Sequence, residues 1–155
     1  MATTTQTYPV PVPEMFAALA DPDTYPHWLL GARRIRSVSD DWPRPGSYFE
    51  HTVGFGPIVI SDRTTVRAID SPGVLVLHVR ARPLLEAVVR FEIEGSATGS
   101  TVVMQETPVG VYGAISAVAQ PLIRARNQRS LQRLKTLVIA SLRSERADGA
   151  HRAPM

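Results

Sequence analysis

The chain has no cysteine, and Lys135 is its only lysine among 17 basic residues. Without thiols it can have no disulfide framework, thiolate nucleophile or iron–sulfur centre. Aromatic residues make up only 6% of the composition, and the arginines are not interleaved with them as a nucleic-acid platform would require. No nucleic-acid partner is therefore expected. No apolar run approaches the length that crosses a bilayer, and Met1 to Thr7 lacks the basic and apolar regions of a signal peptide. The sequence has no Gly-x-Ser-x-Gly elbow, phosphate loop or dinucleotide fingerprint, since Gly54-Phe55-Gly56-Pro57 reads as a hairpin turn and opens no helix. A soluble, cytoplasmic protein is the expectation.

What is present suffices for a real core. With 155 residues and 44% hydrophobic content, residues 1–146 read as one domain and 147–155 as an unstructured tail. Charge is distributed unevenly: from Gln120 onward eight basic side chains face two acidic ones, a net +6 that leaves −3 for the rest of a chain whose total is +3. A basic final helix of this kind reads first as a solvated face.

Two periodicities organise the chain. Thr3 to Val10 reads as a strand that stops where Pro9, Pro11 and Pro13 remove alternate donors. A short helix follows over Pro13 to Ala20, and Asp21-Pro22 caps a second that runs to about Trp28. From Arg33 to Thr107 the period is two, with strands expected over 33–39, 47–53, 58–69, 74–82, 86–95 and 101–107. Leu75, Leu77, Val79 and Ala81, then Ala87, Val89, Phe91 and Ile93, share an apolar face. His78, Arg80 and Arg82 fall on the opposite, wet face of an antiparallel sheet. Pro121 can open a long helix whose stripe is Ile123, Asn127, Leu131, Leu134 and Val138.

Against this pattern, three ionisable side chains fall on the apolar parity: His51 with Phe49 and Val53, Asp62 with Ile60 and Val66, and Glu106 with Val102 and Met104. Burying a charge without a partner costs several kcal/mol, so such groups must meet one another, water or a ligand. His51 is the natural acid–base group near neutral pH; Asp62 and Glu106 can orient it, pair with Arg126 or titrate themselves. The same set would serve equally as an internal ion-pair network. One His with two carboxylates also has the donors of a facial triad, but no short-range ligand pair exists and no metal is expected.

The strings Asp21-Pro22-Asp23-Thr24-Tyr25-Pro26-His27-Trp28 with Gly31, Trp42-Pro43, Pro45-Gly46-Ser47, His51-Thr52-Val53-Gly54, Gly56-Pro57, Asp62, Glu106, and Arg126-Asn127 with Ser130-Leu131 carry a resemblance. They resemble the polyketide cyclase/dehydrase-like branch of the START-like, Bet v 1-like (SRPBCC) superfamily, of actinobacterial type. That resemblance implies an α+β helix-grip fold: a curved seven-stranded antiparallel sheet, two short helices, a long C-terminal helix and an internal cavity. It implies a cavity for a small, mostly hydrophobic ligand, lipid or polyketide-like, and no cofactor. The glycine-rich, lysine-containing loop of the plant branch is absent.

On this reading the wall of the cavity comprises Trp28, Phe49, His51, Asp62, Leu77, Phe91, Met104, Glu106, Ile123 and Asn127, with the polar members fixing the ligand's polar end. A cyclase or dehydratase would use the same cavity with His51, Asp62 or Glu106 as acid or base. A non-catalytic interaction module, docking a partner through its basic helix or a sheet edge, needs no cavity chemistry. Monomer and homodimer are both compatible with the sequence.

Overall fold

A computed structural model describes residues 1–97 and 99–152, with the backbone alone at residues 112 and 114–117. Its strands are β1 (Ala2–Tyr8), β2 (Ala32–Val38), β3 (Tyr48–Phe55), β4 (Ile58–Asp70), β5 (Val74–Ala81), β6 (Leu85–Ser96) and β7 (Gly99–Pro108). Between β1 and β2 lie α1 (Val12–Leu19), a single 3-10 turn (Pro22–Thr24) and α2 (Tyr25–Trp28), and the chain closes with α3 (Tyr112–His151). The strands form one curved sheet in the order β1-β7-β6-β5-β4-β3-β2, antiparallel throughout. Only β1 leaves the hairpin order, pairing with β7 so that Ala2 lies opposite Glu106 and Tyr8 opposite Ser100.

Alternation does what the period of two demands. Leu75 and Leu77 of β5, Val89, Phe91 and Ile93 of β6, and Val102 and Met104 of β7 are buried with Leu131, Leu134 and Val138 of α3 in one core. The Tyr8 hydroxyl of β1 donates to the Leu131 carbonyl at 2.9 Å and ties the helix to the sheet, and the Leu30 amide, in the connection after α2, donates to Ser130 Oγ at 3.0 Å. The Asp21 carboxylate caps the 3-10 turn, accepting from the Asp23 amide at 3.1 Å. At the β6–β7 turn Gly99 has φ +145°, and a Cβ there would stand 2.3 Å from the Tyr8 carbonyl oxygen, so no other residue fits.

Four expectations need correction. Helix α3 begins at Tyr112, and Pro121 lies inside it: proline removes one internal hydrogen bond, a loss a long helix can absorb when its neighbours carry on the ladder. Ile123 is only half-buried and outside the core, because the helix buries side chains completely only from Asn127 onward. The segment expected as a tail from 147 continues the helix as exposed turns to His151, and residues 153–155 lie outside the described ones. His78 has the predicted outward parity but is only 7% exposed, enclosed by Glu86, whose Oε1 is 2.7 Å from Nε2, and by Arg67, whose Nη2 is 3.4 Å from Nδ1.

Replacing Leu134 by Ala should therefore lower the unfolding free energy by about 2–5 kcal/mol in a denaturant titration. Leu122→Ala, on the exposed first half of the same helix, should change it by no more than about 0.5 kcal/mol.

Candidate functional site

The concave face of the sheet is not filled completely. A cavity of about 260 Å³ remains beneath α2 and beside Arg126 of α3, with Trp28, Phe49, Leu77, Val79, Val89, Phe91 and Met104 in its wall. Into this apolar surface project His51 of β3, Thr64 of β4, Glu106 of β7 and Arg126. Tyr25 also contributes, but its hydroxyl donates away from the cavity to the Leu19 carbonyl at 2.5 Å. Gly54 also lies in the wall, and a Cβ there would come within 1.9 Å of the Arg33 guanidinium.

Register brings the first polar pair together. Phe49 lies opposite Thr64 and His51 opposite Asp62, so His51 and Thr64 sit diagonally on one face, with Thr64 Oγ1 3.1 Å from His51 Nε2. The imidazole is 4% exposed, and its Nδ1 is buried without a hydrogen bond of good geometry. Burial pushes its pKa below the ordinary 6.5; the Arg63 backbone and the Asp62 charge oppose this weakly, and Arg36 reinforces it. The ring is therefore neutral near pH 7.

The second polar group is a carboxylate locked to the helix. Glu106, 1% exposed, accepts hydrogen bonds from Arg126 Nη2 and, at 2.8 Å, from Asn127 Nδ2, both at Oε2. Arg126 donates in turn to Asn127 Oδ1 from Nε at 3.3 Å and from Nη2 at 3.0 Å. Charge is thus cancelled inside the wall, and every bond the described residues make to this carboxylate goes to one oxygen.

Of the ten residues expected at the wall, Trp28, Phe49, His51, Leu77, Phe91, Met104 and Glu106 line it, whereas Asp62, Ile123 and Asn127 do not. Asp62 keeps the inward parity, but Arg82 takes both its oxygens: its backbone amide at 3.0 Å and Nε at 3.1 Å bond to Oδ2, and Nη2 at 3.3 Å bonds to Oδ1. Burial acts to raise the Asp62 pKa, but these bonds and one from the Arg63 amide outweigh it and hold the carboxyl below its ordinary 3.8. Asn127 stands behind Glu106 as its second donor. Among the described residues no three His, Asp or Glu side chains gather as a metal site would need.

Sequence reasoning missed Thr64, Tyr25 and the 29–32 loop as wall elements. Thr64 left a signal, since it is a hydroxyl at an inward position of β4 between Asp62 and Val66. The loop left none, because only the packing of α2 brings it over the sheet.

With this geometry the chain can be compared with known proteins. A family model described as polyketide cyclase / dehydrase and lipid transport matches residues 1–138. No curated protein matches the sequence. Among solved structures, a Rhodobacter sphaeroides protein superposes with a TM-score of 0.72 at 16% identity, over 89% of this chain and 91% of its own. A Staphylococcus aureus protein of unknown function gives 0.72 at 10% identity, over 92% and 94%. The di-domain ARO/CYC StfQ from the steffimycin biosynthetic pathway gives 0.68 at 12% identity, over 94% of this chain but 51% of the other. At such identities the likeness is one of fold. The family match over residues 1–138, together with a seven-stranded antiparallel sheet closed by a long C-terminal helix, shows that the chain belongs to the polyketide cyclase/dehydrase and lipid transport family.

Proposed function

We propose that the chain binds a small, mostly apolar molecule in this cavity, with an uncharged hydrogen-bonding group of the ligand placed at Glu106 and Arg126. The observation that carries this is an apolar wall interrupted by a carboxylate whose charge is already cancelled within the protein. Volume sets the size, for a dry cavity of about 150 Å³ takes one benzene, so about 260 Å³ suits roughly two fused rings or a short acyl chain. Charge sets the polar end. An anionic head would face Glu106 and a cationic one Arg126, while a hydroxyl or carbonyl can use their free donor and acceptor positions without unbalancing the pair.

A second reading rests on His51. A neutral imidazole in an apolar wall can accept a proton α to a ligand carbonyl, the step a cyclase or dehydratase would need. Thr64 would hold the ring in place through its contact with Nε2.

Calorimetric titration with a matched series checks the first reading. 2-Naphthol should bind more tightly than naphthalene, and 2-naphthoate more weakly than 2-naphthol. Glu106→Gln should erase most of the preference for the hydroxyl, a loss of roughly tenfold for one hydrogen bond of about 1.4 kcal/mol. Absence of binding by the whole series would remove the cavity as a ligand site.

The state of His51 can be read from stability. An unfolded chain protonates this imidazole as the pH falls through about 6.5, and the folded chain only further down. Over that interval the unfolded state binds more protons and stability declines. Unfolding free energy measured from about pH 7.5 to about pH 5 should fall in the parent and fall less in His51→Gln. Asp62, whose contribution is lost only below its ordinary 3.8, lies outside this window. Equal declines in the two proteins would mean that the ring is solvated and not part of a dry wall.

A further inference from the structure

We infer that the end of the sheet where the cavity reaches the surface docks on an anionic lipid surface. Antiparallel pairing places the β3–β4 turn, the β5–β6 turn and the β7–α3 connection at this one end. The cavity runs out between them, where its wall residue Phe55 is 37% exposed and the Arg126 side chain 29%. Around that opening stand Ile58 at 51%, Val59 at 54%, Leu84 at 45%, Val118 at 89% and Leu122 at 74% exposure. Apart from Val38, every exposed large apolar side chain among the described residues lies at this end, Met1 included because Ala2 pairs with Glu106 near the end of β7. Scattered singly such side chains mean little; gathered around the opening of an apolar cavity they mark a contact surface.

Charge argues for the occupant. Residues 52–61 and 107–123 contain no Asp, Glu, Lys or Arg, and the basic side chains next to them are Arg33, whose Nη2 donates to the Gly56 carbonyl at 3.0 Å, and Arg124. The acids nearest this end are already paired, Asp62 with Arg82, Glu86 with His78 and Arg80, and Glu106 with Arg126. The opposite end carries Asp40 and Asp41 with Arg44 in the β2–β3 turn, and Asp70 and Glu94 near the ends of β4 and β6. An apolar rim bordered by arginine fits the boundary of a bilayer, where Ile58 and Leu122 enter the acyl region and Arg33 and Arg124 meet phosphate. A second copy of the chain fits worse, since pairing the two rims would bring their arginines together.

The test is sedimentation of the full chain with vesicles, with no cavity ligand present, so that docking and ligand binding can fail independently. Vesicles of phosphatidylcholine with about 30% phosphatidylglycerol should carry the protein down at low ionic strength, pure phosphatidylcholine at least about tenfold less, and about 0.5 M salt should release it. Ile58→Asp and Leu122→Asp both fall outside the cavity wall. Each should weaken sedimentation at least about tenfold while leaving thermal unfolding and 2-naphthol titration unchanged. Failure to sediment with the anionic vesicles, or undiminished sedimentation of both variants, would overturn the proposal. So would a dimer in light scattering that Leu122→Asp dissociates and that ignores vesicles, because the rim would then be a contact between copies.

Discussion

One helix is narrower than the sheet it closes, and most of this structure follows from that mismatch. An α-helix with its side chains is roughly 10–12 Å across, whereas seven strands about 4.8 Å apart spread over roughly 29 Å before curvature. Helix α3 packs against β1, β7 and β6 and against α2, which leaves the faces of β3, β4 and β5 to be covered by other means. Curvature brings them part of the way. An aromatic group does more: Tyr25 with Trp28, Tyr25 with Phe49 and Trp42 with Phe49 have ring centroids 5.0, 5.3 and 5.0 Å apart. Two of those residues sit on α2, and Trp42 is anchored through Nε1 to the Ala20 carbonyl at 2.7 Å. What the helix and the aromatics together fail to fill is the cavity.

Glu106 marks the point where the helix leaves the sheet. C-terminal to Asn127, α3 buries Ser130, Leu131 and Leu134 completely. N-terminal to Arg126, it exposes Leu122 and Val118. A buried carboxylate is weak evidence for stability, since apolar side chains of similar volume often serve as well. Its value here is positional: two donors from consecutive helix residues converge on one oxygen, and this sets the angle and depth at which α3 enters the fold. The same lock supplies the only ion pair in the cavity wall among the described residues.

Sheet and core were legible because alternation is a property of the backbone. Every strand and both short helices fell within a few residues of their expected bounds, and Phe91 is 2% exposed, as its parity requires. Parity states which face a residue occupies, however, and not what folds over it. Hence His78, outward as expected, is enclosed by Arg67 and Glu86, and Asp62, inward as expected, is claimed by Arg82 where β4 runs past the end of β5. Helix periodicity has the matching weakness: the stripe through Ile123 is continuous in sequence, but nothing local reveals that complete burial begins only at Asn127. Empty volume leaves no residue to read.

The two polar groups of the cavity differ in what they can do. Glu106 is tied by the helix, so any movement of α3 that opened the wall would break its bonds to Arg126 and Asn127 and leave a carboxylate in an apolar cavity, which resists opening. His51 and Thr64 lie on neighbouring strands of a continuous ladder and keep their geometry whatever the helix does. A ligand entering between the β3–β4 turn and α3 would therefore meet a fixed donor–acceptor pair on one side and a movable one on the other. Binding that reinforced the Glu106 lock would favour the closed position of the helix, which couples occupancy of the cavity to the packing of α3 through a single oxygen atom.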